Sequence, residues 1–227
     1  DVYKRQSNNT DDRHYGFDLT TPFDFTTNVA NTANMTGGVV PSNSWFSDDG
    51  LKMASLEYAF NVLSFYDITT PFEPTDATRS LIGNFNVIPD GGGDTRAVHV
   101  SRDGIHIIIR TFNLATDKFI HYKMSTPWDP STAVRQADEI NSPYDLGQLH
   151  VSGDGRFMMN TAFNTVLYQM EMSTPWDLTT AVETSSLFQG NDIGNGSLVY
   201  VTDDGSKVIT GRYNSTGNFD IAVYEYV

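Results

Sequence analysis

Apolar runs of two to seven residues recur along the chain, and turn signals close them. A short run such as residues 97–100 ends at a Ser-x-Asp-Gly turn, and a second run such as 107–109 follows at once. Asp-Gly between two apolar runs favours a β-hairpin, because glycine supplies the positive φ that tight turns require. A third run follows a polar loop, and a weaker fourth run, such as 181–188, lies beyond a Pro-aromatic turn. The pattern predicts antiparallel strands in groups of four.

Two turn signals recur with the same period of roughly fifty residues. The first is the Asp-Gly turn, which occurs at Asp49-Gly50, Asp103-Gly104, Asp154-Gly155 and Asp204-Gly205. The second is a Pro-aromatic turn, which occurs at Pro22-Phe23, Pro71-Phe72, Pro127-Trp128 and Pro175-Trp176. The aspartates are separated by 54, 51 and 50 residues, and the prolines by 49, 56 and 48. Because two independent signals share one period, the chain is predicted to be built from structural repeats.

A repeat of this length with four antiparallel strands is typical of a β-propeller blade. We therefore predict an all-β fold, a β-propeller of four-stranded antiparallel blades with about four to five blades present. Residues 42–196 hold three full repeats, residues 14–35 supply the last two strands of an earlier one, and residues 197–227 supply the first three of a later one. Such a chain either pairs its two ends or is an arc of a larger ring.

The first six residues stand apart from the repeats. Asp-Val-Tyr-Lys-Arg-Gln reads as the translation of a transposon end used in DNA library preparation. Residues 1–6 are therefore predicted to be foreign to the natural fold, and the natural N-terminus is expected to be missing. Residues 7–227 are predicted to form one partial propeller domain.

The repeat resembles one found in phage and bacterial surface propellers. The similarity rests on Ser/Thr-x-Asp-Gly before an apolar strand and on Tyr-x-x-Ser-Thr-Pro-Trp-Asp, which is complete at residues 122–129. It covers nearly the whole chain after residue 13 and implies a protein of the virion or cell surface. The Asp-Gly hairpin is also similar, more loosely, to the repeats of lactonase-like and YVTN-type seven-bladed propellers.

Composition narrows the expected partners. The formal net charge is -14, and a chain this acidic should repel phosphate backbones, so no nucleic-acid partner is expected. The absence of cysteine excludes disulfides and thiolate zinc sites. No apolar run approaches the ~20 residues of a spanning helix, so no membrane insertion is expected. Loops rich in Asn, Asp, Gly and Tyr favour a protein or a neutral glycan bound through a face of the propeller, in an extracellular or virion-surface setting.

The aromatic residues of the Pro-aromatic turns allow two interpretations. Trp128 and Trp176, with Phe23 and Phe72, are suited to a sugar-binding rim. Alternatively, proline sets φ for the turn, the flanking Ser, Thr and Asp satisfy the turn amides, and the ring fills the gap between blades. Recurrence in every repeat favours the structural interpretation.

The first strand of each repeat carries a large half-polar ring at one position. These rings are Trp45, His99, His150 and Tyr200, and they are predicted to line the central channel. Two facing imidazoles there suggest a metal, but a transition metal generally needs three or more convergent ligands and no carboxylate lies at a short ligand spacing. No metal and no cofactor are therefore predicted. His14, His106 and His121 share no repeat position, and no function is inferred for them.

Two functions from different classes remain. Because the polar positions mostly repeat and no nucleophile or dinucleotide motif is present, the sequence favours a non-enzymatic binding or structural propeller, with no catalytic residue. The alternative is a lactonase-like or other hydrolase on the same scaffold, and fold alone does not decide between them.

Overall fold

β-Strands make up nearly all of the regular structure. The computed structural model describes residues 3–8, 13–19, 28–36, 41–57, 61–75, 77–87, 94–112, 117–142, 148–161, 166–188, 198–202, 206–213 and 219–225. Within these ranges there are nineteen strands and two single-turn 3-10 helices. No helix among the described residues is long and apolar enough to span a bilayer. The all-β prediction is confirmed.

The strands follow one another at short intervals. They are β1 (Tyr3–Asn8), β2 (Arg13–Leu19), β3 (Asn28–Thr36), β4 (Pro41–Phe46), β5 (Lys52–Glu57), β6 (Val62–Ile68), β7 (Arg79–Asn86), β8 (Asp94–Val100), β9 (His106–Phe112), β10 (Lys118–Met124), β11 (Ala133–Arg135), β12 (Ile140–Asn141), β13 (Leu149–Val151), β14 (Phe157–Thr161), β15 (Val166–Met172), β16 (Ala181–Phe188), β17 (Leu198–Val201), β18 (Lys207–Tyr213) and β19 (Phe219–Glu225). The 3-10 turns are Pro130–Thr132 and Leu178–Thr180.

These strands form five antiparallel sheets, which we call repeats 1 to 5. Repeat 1 is β1–β3, repeat 2 is β4–β7, repeat 3 is β8–β11 with β12 added beside β10, repeat 4 is β13–β16 and repeat 5 is β17–β19. The four-stranded antiparallel blade is therefore confirmed. Residues 3–6, which the sequence analysis set aside, lie in β1 and pair with β2; the origin assigned to that segment stays a prediction.

In repeats 2, 3 and 4 the two turn signals contact one another. Gly50, Gly104 and Gly155 have φ of +69°, +70° and +73°, and the amides of Phe72, Trp128 and Trp176 donate to the carbonyl oxygens of these glycines at 3.0, 2.8 and 2.9 Å. Each aromatic ring lies directly over its glycine, at the place where a Cβ atom would project. The three aromatic residues themselves have φ of +58°, +61° and +63°. Hairpin and Pro-aromatic turn thus form one local structure.

The chain divides into two compact bodies. The first consists of Asp1–Ile88, Arg102–Ile105 and Met124–Ala133, and the second of Pro89–Ser101, His106–Lys123 and Val134–Val227. The second body has a core cluster that joins repeat 3 to repeat 4 through Ile108, Phe119, Leu149 and Met158, all nearly fully buried. The single domain expected for residues 7–227 stays a prediction.

Candidate functional site: a histidine chain in repeat 3

The first-strand rings of the second body contact one another in sequence. His99 and His150 lie 4.8 Å apart between ring centroids, edge to face, and His150 lies 4.6 Å from Tyr200. His99 Nδ1 accepts from the Val151 amide at 3.3 Å, and His150 Nδ1 accepts from the Val201 amide at 3.2 Å. A nitrogen that accepts a hydrogen bond carries no proton, so both imidazoles are Nε2–H tautomers. These two histidines join neighbouring first strands.

No group of three or more metal-ligating side chains occurs among the described residues. The prediction that the first-strand histidines hold no metal stays a prediction. Trp45, the equivalent residue of repeat 2, is buried in the first body.

The Pro-aromatic rings have different neighbours in different repeats. Phe72 lies 5.7 Å from Phe46, and Trp128 meets Phe65 edge to face at 6.2 Å. Trp176 instead stacks on His106, with ring centroids 4.4 Å apart and planes within 4°. The same backbone turn therefore places its aromatic ring on an apolar neighbour in repeats 2 and 3, and on an imidazole in repeat 4.

His106 belongs to a hydrogen-bonded chain of three side chains, here called the histidine chain. His106 Nδ1 lies 2.9 Å from His121 Nε2, and His121 Nδ1 lies 2.9 Å from Asp138 Oδ2. His121 is buried, while His106 and Asp138 are partly exposed. The linked side chains form a polar path between two partly exposed groups, Asp138 and His106, through the buried imidazole of His121.

Hydrogen-bond complementarity fixes the protons along this chain. A carboxylate only accepts, so His121 Nδ1 carries a proton, and Nε2 of the neutral His121 imidazole is the acceptor. His106 Nδ1 then donates to His121, and the lone pair of His106 is placed on Nε2. The arrangement Asp138–His121–His106 places the imidazole lone pair on Nε2 of His106, a partly exposed residue, as in an oriented general base.

Strand register brings these residues together. In the β9–β10 hairpin, His106 is opposite Lys123 and His121 is opposite Ile108. Side chains two residues apart share a face, so His106, His121 and Lys123 lie on one side of this hairpin.

Asp138 reaches the chain because the outer strand of repeat 3 is interrupted. The outer strand of repeat 4, β16, runs for eight residues, whereas repeat 3 has only β11 with three and β12 with two. Residues 136–139 lie between these short strands, and Asp138 Oδ2 also accepts from the Leu178 amide at 3.2 Å. Glu139 pairs with Lys118 and Arg135; the Lys118 ammonium, followed by the Arg135 guanidinium, lowers the pKa of this carboxyl group. These ion pairs hold the interrupting segment in place.

The residues of this site do not follow the repeat. At the position of His106, repeats 2, 4 and 5 have Lys52, Phe157 and Lys207, each opposite an acidic residue of the third strand. Those acidic residues are Asp67, Glu171 and Glu225, and repeat 3 has Lys123 in their place. This departure from the repeat is the signal that sequence reasoning missed when it drew no inference from His106 and His121.

The other predicted residues are placed as follows. Asp49, Asp103 and Asp154 each accept a hydrogen bond from a following amide at 3.0 Å, and Pro71, Pro127 and Pro175 directly precede Phe72, Trp128 and Trp176. Pro22, Phe23, Asp204 and Gly205 lie outside the described residues. None of these turn residues belongs to the histidine chain.

Comparison with known proteins gives likeness in structure only. No family model and no curated protein matches the chain. A functionally unknown protein from Desulfotomaculum acetoxidans has a TM-score of 0.54 at 10% identity, over 100% of this chain and 80% of that one. A Bacteroides uniformis protein assigned as a 6-phosphogluconolactonase has a TM-score of 0.55 at 14% identity, over 98% of this chain and 63% of that protein. The periplasmic gluconolactonase of Pseudomonas aeruginosa has a TM-score of 0.51 at 14% identity, over 83% of this chain and 51% of that enzyme. The chain has the β-propeller fold of these lactonase-type structures.

One prediction is corrected by this comparison. The sequence predicts a protein without enzymatic activity, on the ground that its polar positions mostly repeat. The structures that share the fold include a gluconolactonase, so the scaffold is one that carries enzymes. The stated ground is also wrong for repeat 3, where His106, His121 and Lys123 differ from the residues at the same positions of repeat 4, which are Phe157, Gln169 and Glu171.

Proposed function

We propose that this chain is a hydrolase that opens lactone rings, with the histidine chain as its reaction centre. The observation that carries the proposal is the continuous path Asp138–His121–His106, at 2.9 Å for each step. The propeller fold shared with lactonases supports the choice of substrate class. The expected association with a virion or cell surface finds no support in these comparisons and stays a prediction.

The reaction follows from the proton positions. His106 Nε2 takes a proton from water as the water oxygen attacks the lactone carbonyl carbon. The ring carbon–oxygen bond then breaks, and the proton on His106 passes to the departing alkoxide, which gives the open-chain hydroxy acid. Asp138 and His121 orient His106 and stabilise the imidazolium while it carries the proton.

Lys123 supplies positive charge beside this base. It is directly opposite His106 in the register of β9 and β10 and is exposed. Negative charge develops on the carbonyl oxygen as water attacks, and a nearby ammonium stabilises that charge. In a chain with a net charge of -14, a lysine at a position where the other repeats have an acid favours this role.

Hydrolysis of gluconolactones, with and without a 6-phosphate, tests the proposal through acid release at constant pH. His106→Gln should lower kcat by about 10²–10⁴-fold, the usual contribution of a general base. Asp138→Asn should lower it at least about tenfold, because the amide can turn its NH₂ group towards His121 and disturb the tautomer. Lys123→Gln should lower kcat/KM.

His150→Gln is the matched control. His150 is a histidine of the same compact body with a ring contact and a backbone hydrogen bond, but it is not a member of the histidine chain. Its loss should leave the turnover of the folded enzyme unchanged. Absence of turnover on every lactone, or equal turnover in wild type and His106→Gln, would contradict the proposal.

Recognition of a protein or neutral glycan through a propeller face is a separate proposal. Much of the loop sequence on which it depends, including residues 143–147, 189–197 and 214–218, lies outside the described residues. A glycan array with the purified chain tests it, and retention of binding in His106→Gln would show that the two activities use different surfaces.

A further inference from the structure

Trp176 differs from its repeat equivalents in what its ring contacts. Phe72, Trp128 and Trp176 share a left-handed backbone conformation, an amide bond to the turn glycine and a ring placed over that glycine. Phe72 and Trp128 contact phenylalanine rings. Trp176 stacks on His106 at 4.4 Å and lies 6.1 Å from His99 with planes 24° apart.

We propose that Trp176 is a positioning residue for His106, a role that rests on the proposed function above. Its indole face fixes the plane of the His106 imidazole and thereby keeps Nδ1 directed at His121. A ring that fills structural space in repeats 2 and 3 has a second role in repeat 4, where it contacts the histidine chain of repeat 3.

The His106 side chain can rotate about its second torsion. The second torsion of histidine is broad and nearly two-fold, so a partly exposed imidazole readily turns its Nδ1 away from a partner. Turning His106 about this torsion would break its 2.9 Å contact with His121 Nε2. A parallel ring 4.4 Å away, within 4° of the imidazole plane, obstructs that rotation and favours the stacked orientation.

The indole can act as a fixed support because its own position is determined by the turn. The Trp176 amide donates to Gly155 at 2.9 Å, and the indole lies where a Cβ atom on Gly155 would come within 2.2 Å of Nε1. A side chain held by its backbone and by packing positions a catalytic group better than a mobile one does.

Trp176→Leu, Trp176→Phe and the matched control Trp128→Leu test this role. Trp176→Leu should lower kcat on a lactone about 10- to 100-fold with little change in KM, since small misplacements of a catalytic group cost up to ~10²-fold. Trp176→Phe should recover most of the rate, because a phenyl ring still stacks. Trp128→Leu removes the equivalent ring of repeat 3 and should leave kcat of the folded enzyme unchanged.

A second readout does not depend on turnover. Nitrogen-15 spectra of histidine-labelled protein distinguish the two imidazole tautomers, and His106 should be the Nδ1–H form in wild type and Trp128→Leu but a mixture in Trp176→Leu. Unchanged His106 signals in Trp176→Leu, or an equal fall of kcat in Trp128→Leu, would overturn the positioning role. If wild type hydrolyses no lactone while the tautomer still responds to Trp176→Leu, the proposed function fails and the positioning of His106 stands.

Discussion

The glycine at each of the three described Asp-Gly turns meets two separate requirements. It adopts a positive φ, which L-residues with side chains rarely do, and it leaves room for the aromatic ring of the second turn signal. At Gly104, an added Cβ would lie 2.1 Å from Trp128 Cδ1. This contact explains why two sequence signals more than twenty residues apart keep the same period: each is the packing partner of the other.

Gly104→Ala should therefore destabilise the fold by more than the conformational cost alone. Backbone strain contributes roughly 1–3 kcal/mol, and displacement of the indole adds to it. Gly153→Ala is a suitable control, because Gly153 lies in the equivalent turn of repeat 4 without a positive φ. Urea unfolding of both variants gives the comparison. Equal stability of Gly104→Ala and wild type would mean that the turn is wrongly assigned.

Glu139 should make stability depend on pH in the acidic range. Its carboxyl has a lowered pKa in the folded chain, caused first by Lys118 and then by Arg135, so folding is favoured by the ionised form. The stabilisation is complete above the ordinary glutamate pKa of 4.5 and is lost as the pH falls through the lower folded value.

Chemical unfolding of wild type and Glu139→Gln between pH 3 and 7 measures this effect. The difference in unfolding free energy should be largest near neutrality and should shrink towards pH 3. The pair is about one-third exposed, so the difference is modest. Lys118→Met, which removes the largest cause of the lowered pKa, should reduce the same pH dependence, and a constant difference across the range would contradict the assignment.

The interrupted outer strand shows which elements the sequence could predict. Hairpins closed by Asp-Gly and the strand that follows each of them were predictable, because local residues determine a tight turn. The break between β11 and β12 was not, because residues 133–142 contain no Gly or Pro. It depends on contacts that Asp138 and Glu139 make with other strands. The candidate site was missed for the same reason, since His106, His121 and Asp138 come from three elements without a shared spacing.

The Pro-aromatic turn should be among the most sensitive elements of the first body. The Trp128 side chain is 5% exposed, packs on Gly104 and meets Phe65. Trp128→Ala should cost about 3–5 kcal/mol, as expected for removal of a buried indole. Phe72→Ala, which removes a smaller and more exposed ring, should cost less. Differential scanning calorimetry measures the loss of stability in each variant. A larger loss in Phe72→Ala than in Trp128→Ala would show that burial of the ring is not the main source of the stability of this turn.

Across the five repeats, residues fall into two classes. Those that recur, such as the turn glycines and the rings above them, account for the fold, because stacked repeats reuse the same contacts. Others depart from the repeat, as in repeat 3, where an imidazole pair and a lysine stand at positions that repeat 4 fills with unlike residues. A repeat protein therefore allows structure and activity to be separated by exchanging equivalent residues between its repeats.

The exchange of repeat 4 residues into repeat 3 applies this test to the whole molecule. His106→Phe and His121→Gln introduce the residues found at 157 and 169, whose pairing partners Glu171 and Met159 show that these positions match those of His106 and His121. Phenylalanine keeps a ring to stack on Trp176, and the glutamine amide still donates to Asp138. Stability should fall by about 1–3 kcal/mol, because phenylalanine cannot donate the hydrogen bond that His106 gives to the buried side chain at position 121. Lactone turnover should disappear, because neither imidazole of the histidine chain remains to accept a proton. If the exchanged protein unfolds, the histidine chain is a structural link between repeats; if it folds and still hydrolyses lactones, the reaction centre lies elsewhere.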